Sequence, residues 1–169
     1  MSILCGWASQ SEKGTTNGKK GDQTGKEVKI GNYYNFGQDK IIRFRNSARG
    51  KKAAKAQKAF CENDNIGYGQ ADRTSLFNQC RKLKWDINRI KEIPKCNCDC
   101  SELCVCSINM AYGKEVLNSY CTTHSFYKET VKKHPRNFRC VKVNCIKKAG
   151  DMPLKAGKHI IMVLESEKK

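Results

Sequence analysis

The sequence has no long apolar run and is short of acidic residues and histidines. Its 169 residues include 16 Asp and Glu against 33 Lys and Arg, and only three His. No apolar stretch approaches the roughly 18 residues that a membrane-spanning helix needs, so we expect no transmembrane segment. The start, MSILCGWASQSEKG, has too short an apolar patch for a secretory signal and no basic residue before that patch. We therefore expect synthesis in the cytoplasm without a signal peptide.

The shortage of acidic residues gives a formal net charge of +17. Such a charge favours an anionic partner, and the candidate classes are a nucleic acid, an anionic wall polymer and a membrane surface. Lysine pairs recur along the whole chain, so a solvated lysine-rich surface is an equally simple interpretation. The sequence contains no recognisable zinc finger, helix-turn-helix or aromatic-basic RNA motif, which disfavours a nucleic-acid partner.

The middle of the chain predicts helices. In residues 46–64 alanines and Phe60 recur at helical spacing, with Ser47 as the N-cap. A further short helix is expected at 122–133. Another helix is predicted from residues that share one face: Leu76, Phe77, Cys80 and Leu83.

Strands are predicted mainly in the last third of the chain. Residues 40–45 and 137–146 alternate apolar and polar side chains, and 159–165, HIIMVLE, is a near-continuous apolar run typical of a core strand. Residues 1–31 and 149–157 are rich in turn residues and are predicted to be loops.

Helices precede most of the strands, which predicts an α+β fold in one domain over residues 1–169. We expect a loop-rich part at 1–45, helices at 46–113 and sheet strands at 137–165.

Five of the eleven cysteines lie in KCNCDCSELCVCSINMAYG, residues 95–113. An odd number of cysteines without an export signal disfavours a disulfide framework. The spacing C-x-C-x-C-x(3)-C-x-C differs from the paired C-x(2–4)-C spacing of structural zinc sites, although C-x-C pairs can bind soft metals. A metal-stabilised interaction module therefore stays an alternative, beside a basic nucleic-acid-binding module.

One thiol of this run is placed for chemistry. A helix is predicted over Cys100–Tyr112, with Asp99 just before its start, Gly113 just after its end and Cys100 in its first turn. A helix N-terminus favours a thiolate, so we expect a lowered pKa for Cys100. The N–H groups of Cys100 and Ser101 have no helical partner and can hold an oxyanion.

A nucleophilic thiol needs a base, and His159 is the best placed of the three histidines. It follows Gly157 and opens the most apolar strand, whereas His124 and His134 lie in polar surroundings. The simpler alternative is a histidine that only ends a strand. The order of a cysteine at a helix start, a Gly-Asp turn and a histidine leading a core strand favours a catalytic pair.

These motifs resemble those of a known family. DCSEL at 99–103 resembles the Asp-Cys-Ser-Gly/Ser-Leu motif of NlpC-type cysteine peptidases, which cut peptidoglycan. The Gly-Asp pair at 150–151 and the following KHIIMVLE are similar to that family's turn and histidine strand. The segments GWAS…GDQTGKEV…YYNFG and NDNIGYGQADRTSL further resemble its phage and prophage endolysin branch.

The resemblance implies a papain-like core, in which the nucleophile helix packs on an antiparallel sheet. It also implies hydrolysis of an amide bond in the peptidoglycan stem peptide, typically next to a D-glutamyl residue. By position Cys100 is the nucleophile, His159 the general base and Tyr68 an upstream tyrosine near the site. The loop residues expected to line the substrate groove, unless they form only a solvated turn, are Asp22, Gln23 and Thr24.

The sequence departs from the family pattern twice. Glu102 stands where a small residue is usual, and we expect it to narrow the cleft or to reject acidic substrates. The polar residue that orients the histidine normally lies on a later strand, and only ten residues follow His159. Glu165, at even spacing from His159 on a regular strand, is the candidate for that role, with Glu167 or a backbone carbonyl as alternatives.

Partners and location follow from the resemblance. The expected partner is peptidoglycan in the anionic wall, with no nucleic acid, no metal and no cofactor. Without a signal peptide, the enzyme would reach the wall only after release, as in phage-type lysis.

Overall fold

The structure is a computed structural model that describes residues 3–9 and 18–167. It has three α-helices: α1 Ser47–Cys61, α2 Ser75–Lys82 and α3 Cys100–Tyr112. It also has a 3-10 turn at Ile87–Glu92 and a π-helical turn at Lys128–Lys132. The strands are β1 Leu4–Ala8, β2 Val28–Asn32, β3 Lys40–Phe44, β4 Ile66–Tyr68, β5 Cys96–Cys98, β6 Phe138–Val141, β7 Met152–Lys155, β8 His159–Ile160 and β9 Met162–Val163.

The strands form three sheets, and the α+β class predicted from the sequence is confirmed. One sheet has the order β2-β1-β9 and a second has the order β6-β3-β7-β8, both antiparallel. The third is the parallel pair β4-β5. The large core lies between the helices and the sheets, and a smaller apolar cluster covers the outer face of β1 and β9.

The sequence predicted loops over residues 1–31, but the structure has two strands that begin there, β1 and β2. β1 and β2 pair over their whole length, from Leu4 with Asn32 to Ala8 with Val28. The prediction failed because β1 is held by partners far along the chain, including β9. The part of the predicted loop at residues 10–17 lies outside the described residues.

The last strands form a hairpin that joins the two antiparallel sheets. The segment predicted as one strand over 159–165 is divided at Ile161, because β8 pairs with β7 whereas β9 pairs with β1. The region predicted as turns at 149–157 contains β7. Gly157 supplies the positive φ of 73° that the turn before β8 requires.

Three of the predicted helices and strands need correction. α1 is capped by Asn46, whose side chain accepts the N–H of Arg49, and not by Ser47. The helix predicted at 122–133 is reduced to a short turn ending in the π-helical segment, and the strand predicted at 137–146 is the four-residue β6.

α2 buries the face that the sequence predicted. Leu76, Phe77 and Cys80 are fully buried, and Leu83 follows the end of the helix and packs against the same core. The ring of Phe77 meets Trp85 edge-on, with 4.9 Å between centroids.

α3 is the central element and has the bounds that the sequence predicted. Asp99 caps its N-terminus, and Gly113 ends it in the left-handed conformation with a φ of 67°. Every residue from Cys100 to Ala111 is buried, because α1, α2, β1 and β8 all contact the helix. Its N-terminus is therefore held rigidly against the sheets.

No helix among the described residues is long and apolar enough to cross a membrane.

Candidate active site

A cleft of about 540 Å³ brings together residues from five separate segments. It lies where the start of α3 meets β8, beside the end of β1, β4 and the loop after β2. Its lining residues are Ala8, Ser9, Tyr34, Phe36, Tyr68, Cys100, Lys158 and His159. The predicted nucleophile, general base and upstream tyrosine thus share one cleft.

Asp99 fixes the first turn of α3 and with it Cys100. One carboxylate oxygen of Asp99 accepts the N–H of Glu102 at 2.7 Å and the hydroxyl of Ser101 at 2.8 Å. The other oxygen accepts Arg73 Nε at 2.6 Å. Because Arg73 also donates to the carbonyls of Ser119 and Cys121, the cap is tied to a neighbouring loop.

The sulfur of Cys100 lies beside the strand that carries His159. The backbone N–H groups of Ile160, Ser101 and Cys100 all point toward it and favour a thiolate. Ile160 is the residue after His159, so the helix start and the histidine strand meet at the sulfur. The position of Cys100 at a helix start, that of His159 on an apolar strand and their order along the chain predicted this juxtaposition.

The expected lowering of the thiol pKa is wrong. Burial, followed by the charge of Asp99, raises the pKa of Cys100 to about 12, and the three N–H groups offset only part of this rise. Cys100 is 8% exposed, so water cannot solvate a thiolate there. The residue type at the helix start was readable in the sequence, but its burial was not.

His159 is held between aromatic side chains. Its ring meets Phe36 edge-on at 5.2 Å between centroids and lies 6.4 Å from the ring of Tyr34. Burial lowers the pKa of His159 to about 4. At neutral pH the cleft therefore holds a thiol and a neutral imidazole in its resting state, not the expected ion pair.

No group among the described residues is hydrogen-bonded to Nε2 of His159, which is buried. The candidate for orienting this ring, Glu165, is exposed in a bend after β9 and does not line the cleft. The regular strand that would have brought it level with His159 is not formed. Glu167 is engaged elsewhere, since its carboxylate accepts the N–H of Lys147 at 3.0 Å.

Two phenols lie beside the thiol. Burial, followed by the proximity of Cys100, raises the pKa of Tyr68 to about 12, and the same causes raise the pKa of Tyr34. The N–H of Tyr68 donates to Glu27 at 3.1 Å, which fixes the strand β4 that carries it. Both hydroxyls are protonated at neutral pH and can donate hydrogen bonds.

Three residues of the cleft were not predicted from the sequence: Tyr34, Phe36 and Lys158. The aromatic cluster NYYNFG at 32–37 was the available signal, but YYNFG served only as part of the family resemblance. Tyr34 is instead 38% exposed and lines the cleft.

Ser101 contributes its backbone only. Its hydroxyl donates to Asp99 and the residue is 1% exposed, so the side chain does not enter the cleft.

The loop residues predicted to line the groove are not among the lining residues of the cleft. Asp22 folds the loop by accepting the N–H groups of Thr24, Gly25 and Glu27. Gln23 donates to the carbonyl of Gly21 at 2.8 Å. Thr24 has a buried hydroxyl with no hydrogen-bond partner among the described residues.

Glu102 does not narrow the cleft, in contrast to the expectation. It is fully buried on the inner side of α3, and its nearest cation is Arg73 at 4.0 Å. Burial raises the pKa of Glu102 to about 8, with Arg73 opposing the shift and Asp99 adding to it.

The Gly-Asp pair serves a structural role at the far end of the hairpin. Both oxygens of Asp151 bind Arg43, at 2.7 Å and 2.6 Å, inside the protein. Asp151 also accepts the N–H of Lys148.

All eleven cysteines are free, and most are buried. Burial raises the pKa of Cys104 and Cys106 well above the ordinary value, as expected for inert thiols inside α3. In the described ranges no group of three or more His, Cys, Asp or Glu side chains is arranged to hold a metal ion. The alternative of a metal-stabilised module therefore has no geometric support in this part of the chain.

Comparison with known proteins gives one match. No curated protein and no solved structure matches the chain. The model of one family, described as an endolysin-like domain, matches residues 5–169, which include every residue of the cleft. The chain belongs to the endolysin-like domain family.

Proposed function

We propose that the protein is a cysteine peptidase that hydrolyses an amide bond in the peptidoglycan stem peptide. Membership of the endolysin-like domain family indicates a cell-wall lytic function. The proposal that Cys100 acts as the nucleophile rests on the shared cleft, which is lined by Cys100 at a helix start and by His159 on β8. A papain-like arrangement has this pairing of a nucleophile helix with a histidine strand.

The protonation states favour proton transfer in step with attack. His159, unprotonated above a pKa of about 4, takes the proton from Cys100 as the sulfur attacks the carbonyl carbon. The S–C bond forms and the carbonyl oxygen gains negative charge. The N–H groups of Cys100 and Ser101 stabilise that oxyanion, each by about 3 kcal/mol.

Collapse of this intermediate breaks the C–N bond, and His159 delivers its proton to the leaving amine. Water then attacks the thioester while His159 accepts a proton from it. The products are a carboxylic acid and the restored Cys100 thiol, so the cycle needs no cofactor.

The rest of the cleft suits an amide substrate. Tyr34 and Tyr68 offer protonated hydroxyls beside the reacting sulfur, and Phe36 excludes water from the imidazole. Lys158 places a cation at the rim, which favours a carboxylate on the substrate. The peptidoglycan stem peptide carries such carboxylates, so the acidic substrate class agrees with the wall as the site of action.

Muropeptide analysis tests the proposal. Purified peptidoglycan is digested with the wild-type protein, with Cys100→Ala and with Cys140→Ala, and the fragments are identified by mass spectrometry. Cys140 is an exposed thiol on β6 outside the cleft, so its variant is the matched control. We expect Cys100→Ala to lower cleavage by at least about 10³-fold and Cys140→Ala to leave it unchanged. Cleavage by Cys100→Ala at the wild-type rate would refute the assignment.

A further inference from the structure

A second cavity, of about 270 Å³, lies outside the cleft. It is formed by the end of β3, the first turns of α1, β6 and the segment before β7. Its lining residues are Arg43, Phe44, Arg45, Ser47, Gly50, Lys51, Arg139, Lys148, Ala149, Asp151 and Ser166. We call it the basic pocket.

The basic pocket and the cleft share no residue and lie at opposite ends of one sheet. His159 pairs with Lys155 at the end of β7 that faces the cleft. Asp151, which lines the basic pocket, precedes the other end of β7. A ligand in the basic pocket therefore leaves the cleft open.

The basic pocket carries an excess of positive charge that the protein does not neutralise. Its lining has five basic residues and one acid, Asp151. That acid is already engaged, because both of its oxygens bind Arg43. In the part of the chain that the structure describes, no carboxylate is within ion-pair distance of the other four: Arg45, Lys51, Arg139 and Lys148.

The strand register adds an independent sign of an anion site. Arg43 and Arg139 stand directly opposite each other on β3 and β6, so their side chains leave the same face of the sheet. Like charges in opposite positions of an antiparallel pair destabilise it. Within this opposed pair, Arg43 is matched by Asp151, whereas the guanidinium of Arg139 has no acidic counterpart among the described residues.

The start of α1 faces the same cavity. Ser47, the first residue of this 15-residue helix, lines the basic pocket together with Lys51 one turn later. Asn46 caps the N–H of Arg49, and the earlier N–H groups of a helix have no intrahelical acceptor. The helix dipole thus adds positive potential to that of the side chains.

We propose that the basic pocket binds a phosphate group of a phosphodiester-linked wall polymer, a narrow polyol-phosphate chain. Guanidinium groups pair with phosphate through two parallel hydrogen bonds, and lysines and hydroxyls serve the remaining oxygens. The volume accommodates one phosphate with an attached polyol unit. This partner rests on the proposed action at the cell wall, whereas the phosphate chemistry rests on the pocket alone.

A nucleic acid fits the basic pocket less well. Single-stranded nucleic acids are held largely by stacking of bases on exposed aromatic rings. The one aromatic lining residue of the basic pocket, Phe44, is buried in the core.

Binding to the polymer at one end of the sheet would hold the cleft at the other end against its substrate.

Equilibrium binding tests the proposal on a Cys100→Ala background, so that no substrate is consumed. The probes are a glycerol-phosphate oligomer, inorganic phosphate and single-stranded DNA with the same number of phosphates. The variant pair Lys51→Ala and Arg139→Ala removes two exposed cations of the basic pocket, and Lys52→Ala, on the next residue of α1 and outside the pocket, is the control. Thermal unfolding of each variant confirms that it is folded.

We expect the double variant to bind the glycerol-phosphate oligomer at least about tenfold more weakly and Lys52→Ala to bind it within about twofold of the parent. Inorganic phosphate should compete at far higher concentration than the oligomer. If the double variant and the Lys52→Ala control lose the same fraction of their affinity for the oligomer, the assignment of the basic pocket as the binding site is refuted. Two results would refute a polyol-phosphate polymer as the ligand. One is tighter binding of the DNA than of the oligomer, and the other is competition by inorganic phosphate that equals that of the oligomer per phosphate.

Hydrolysis of a soluble stem peptide by the wild-type protein is measured separately. If the protein binds the polymer through the basic pocket but does not hydrolyse the peptide, the proposed peptidase activity is refuted and the proposed binding site is retained. Hydrolysis without such binding would refute the site and leave the peptidase.

Discussion

At the scale of single residues, burial decides the protonation of the groups in and beside the cleft. Cys100 keeps its proton and His159 stays neutral because neither charged form is solvated there. The sequence contains both residues in the expected order, but it could not predict their burial, because the aromatic rings that lie against His159 come from the distant loop that carries Tyr34 and Phe36. In the proposed mechanism, the thiol of Cys100 therefore loses its proton during the attack and not in the resting protein.

Glu102 makes the stability of the protein depend on pH. Its pKa is about 8 in the folded protein against an ordinary value of 4.5, so the unfolded chain loses this proton first as pH rises. The folded state is then disfavoured progressively between about pH 4.5 and pH 8. We expect Glu102→Gln, which cannot ionise, to raise the free energy of unfolding by about 1–3 kcal/mol at pH 8 and by less at pH 5.

Urea unfolding at pH 5 and pH 8 measures this difference. The control is Glu62→Gln, because Glu62 is an exposed carboxylate at the end of α1. Its effect should be small and similar at both pH values. A difference between Glu102→Gln and the wild type that does not grow with pH would show that Glu102 is ionised in the folded protein.

At the scale of elements, α3 was the most predictable part of the fold and β1 the least. The helix carries its own start and stop signals, Asp99 and Gly113, which act locally. β1 and β2 sit in a region rich in turn residues and are fixed by long-range pairing. For the same reason the division of the last strand at Ile161 could not be predicted, because it depends on which sheet each half joins.

The cap of α3 links stability to the reactivity of the thiol. Asp99 holds the first turn and Arg73, and its charge also raises the pKa of Cys100. Asp99→Asn keeps an N-cap acceptor but removes the charge. We expect it to lower the free energy of unfolding by about 1–3 kcal/mol and to raise the alkylation rate of Cys100 about two- to tenfold.

Iodoacetamide labelling followed by peptide mapping measures the alkylation rates. Asp86→Asn is the matched control, since Asp86 caps an exposed 3-10 turn through the N–H of Asn88. It should leave the Cys100 rate unchanged. In the wild type, the exposed Cys140 should react before the buried Cys100. Preferential labelling of Cys100 at mildly acidic pH would instead mean that the resting thiol is ionised.

At the scale of the whole molecule, the hairpin of β7, β8 and β9 organises both sites. One end of the β6-β3-β7-β8 sheet carries His159, which lines the cleft with Cys100, and the other end carries Asp151 and Arg43, which line the basic pocket. The order of the cysteine, the Gly-Asp pair and the histidine could be read directly from the sequence. The net charge of +17 predicted an anionic partner or a solvated lysine-rich surface, but it gave no location for a binding site, because the clustering of Arg43, Arg139 and Lys51 depends on strands and a helix that are distant in sequence.

Trapping of the covalent intermediate tests whether Cys100 is the nucleophile. The wild-type protein is mixed with a soluble stem peptide, quenched in acid within the first turnover and digested for mass spectrometry. We expect an acyl group, bonded as a thioester, on the peptide that contains Cys100, and we expect no such group when His159 is replaced by alanine. Product formation with the acyl group on a different cysteine, or with no acyl group on any, would contradict it.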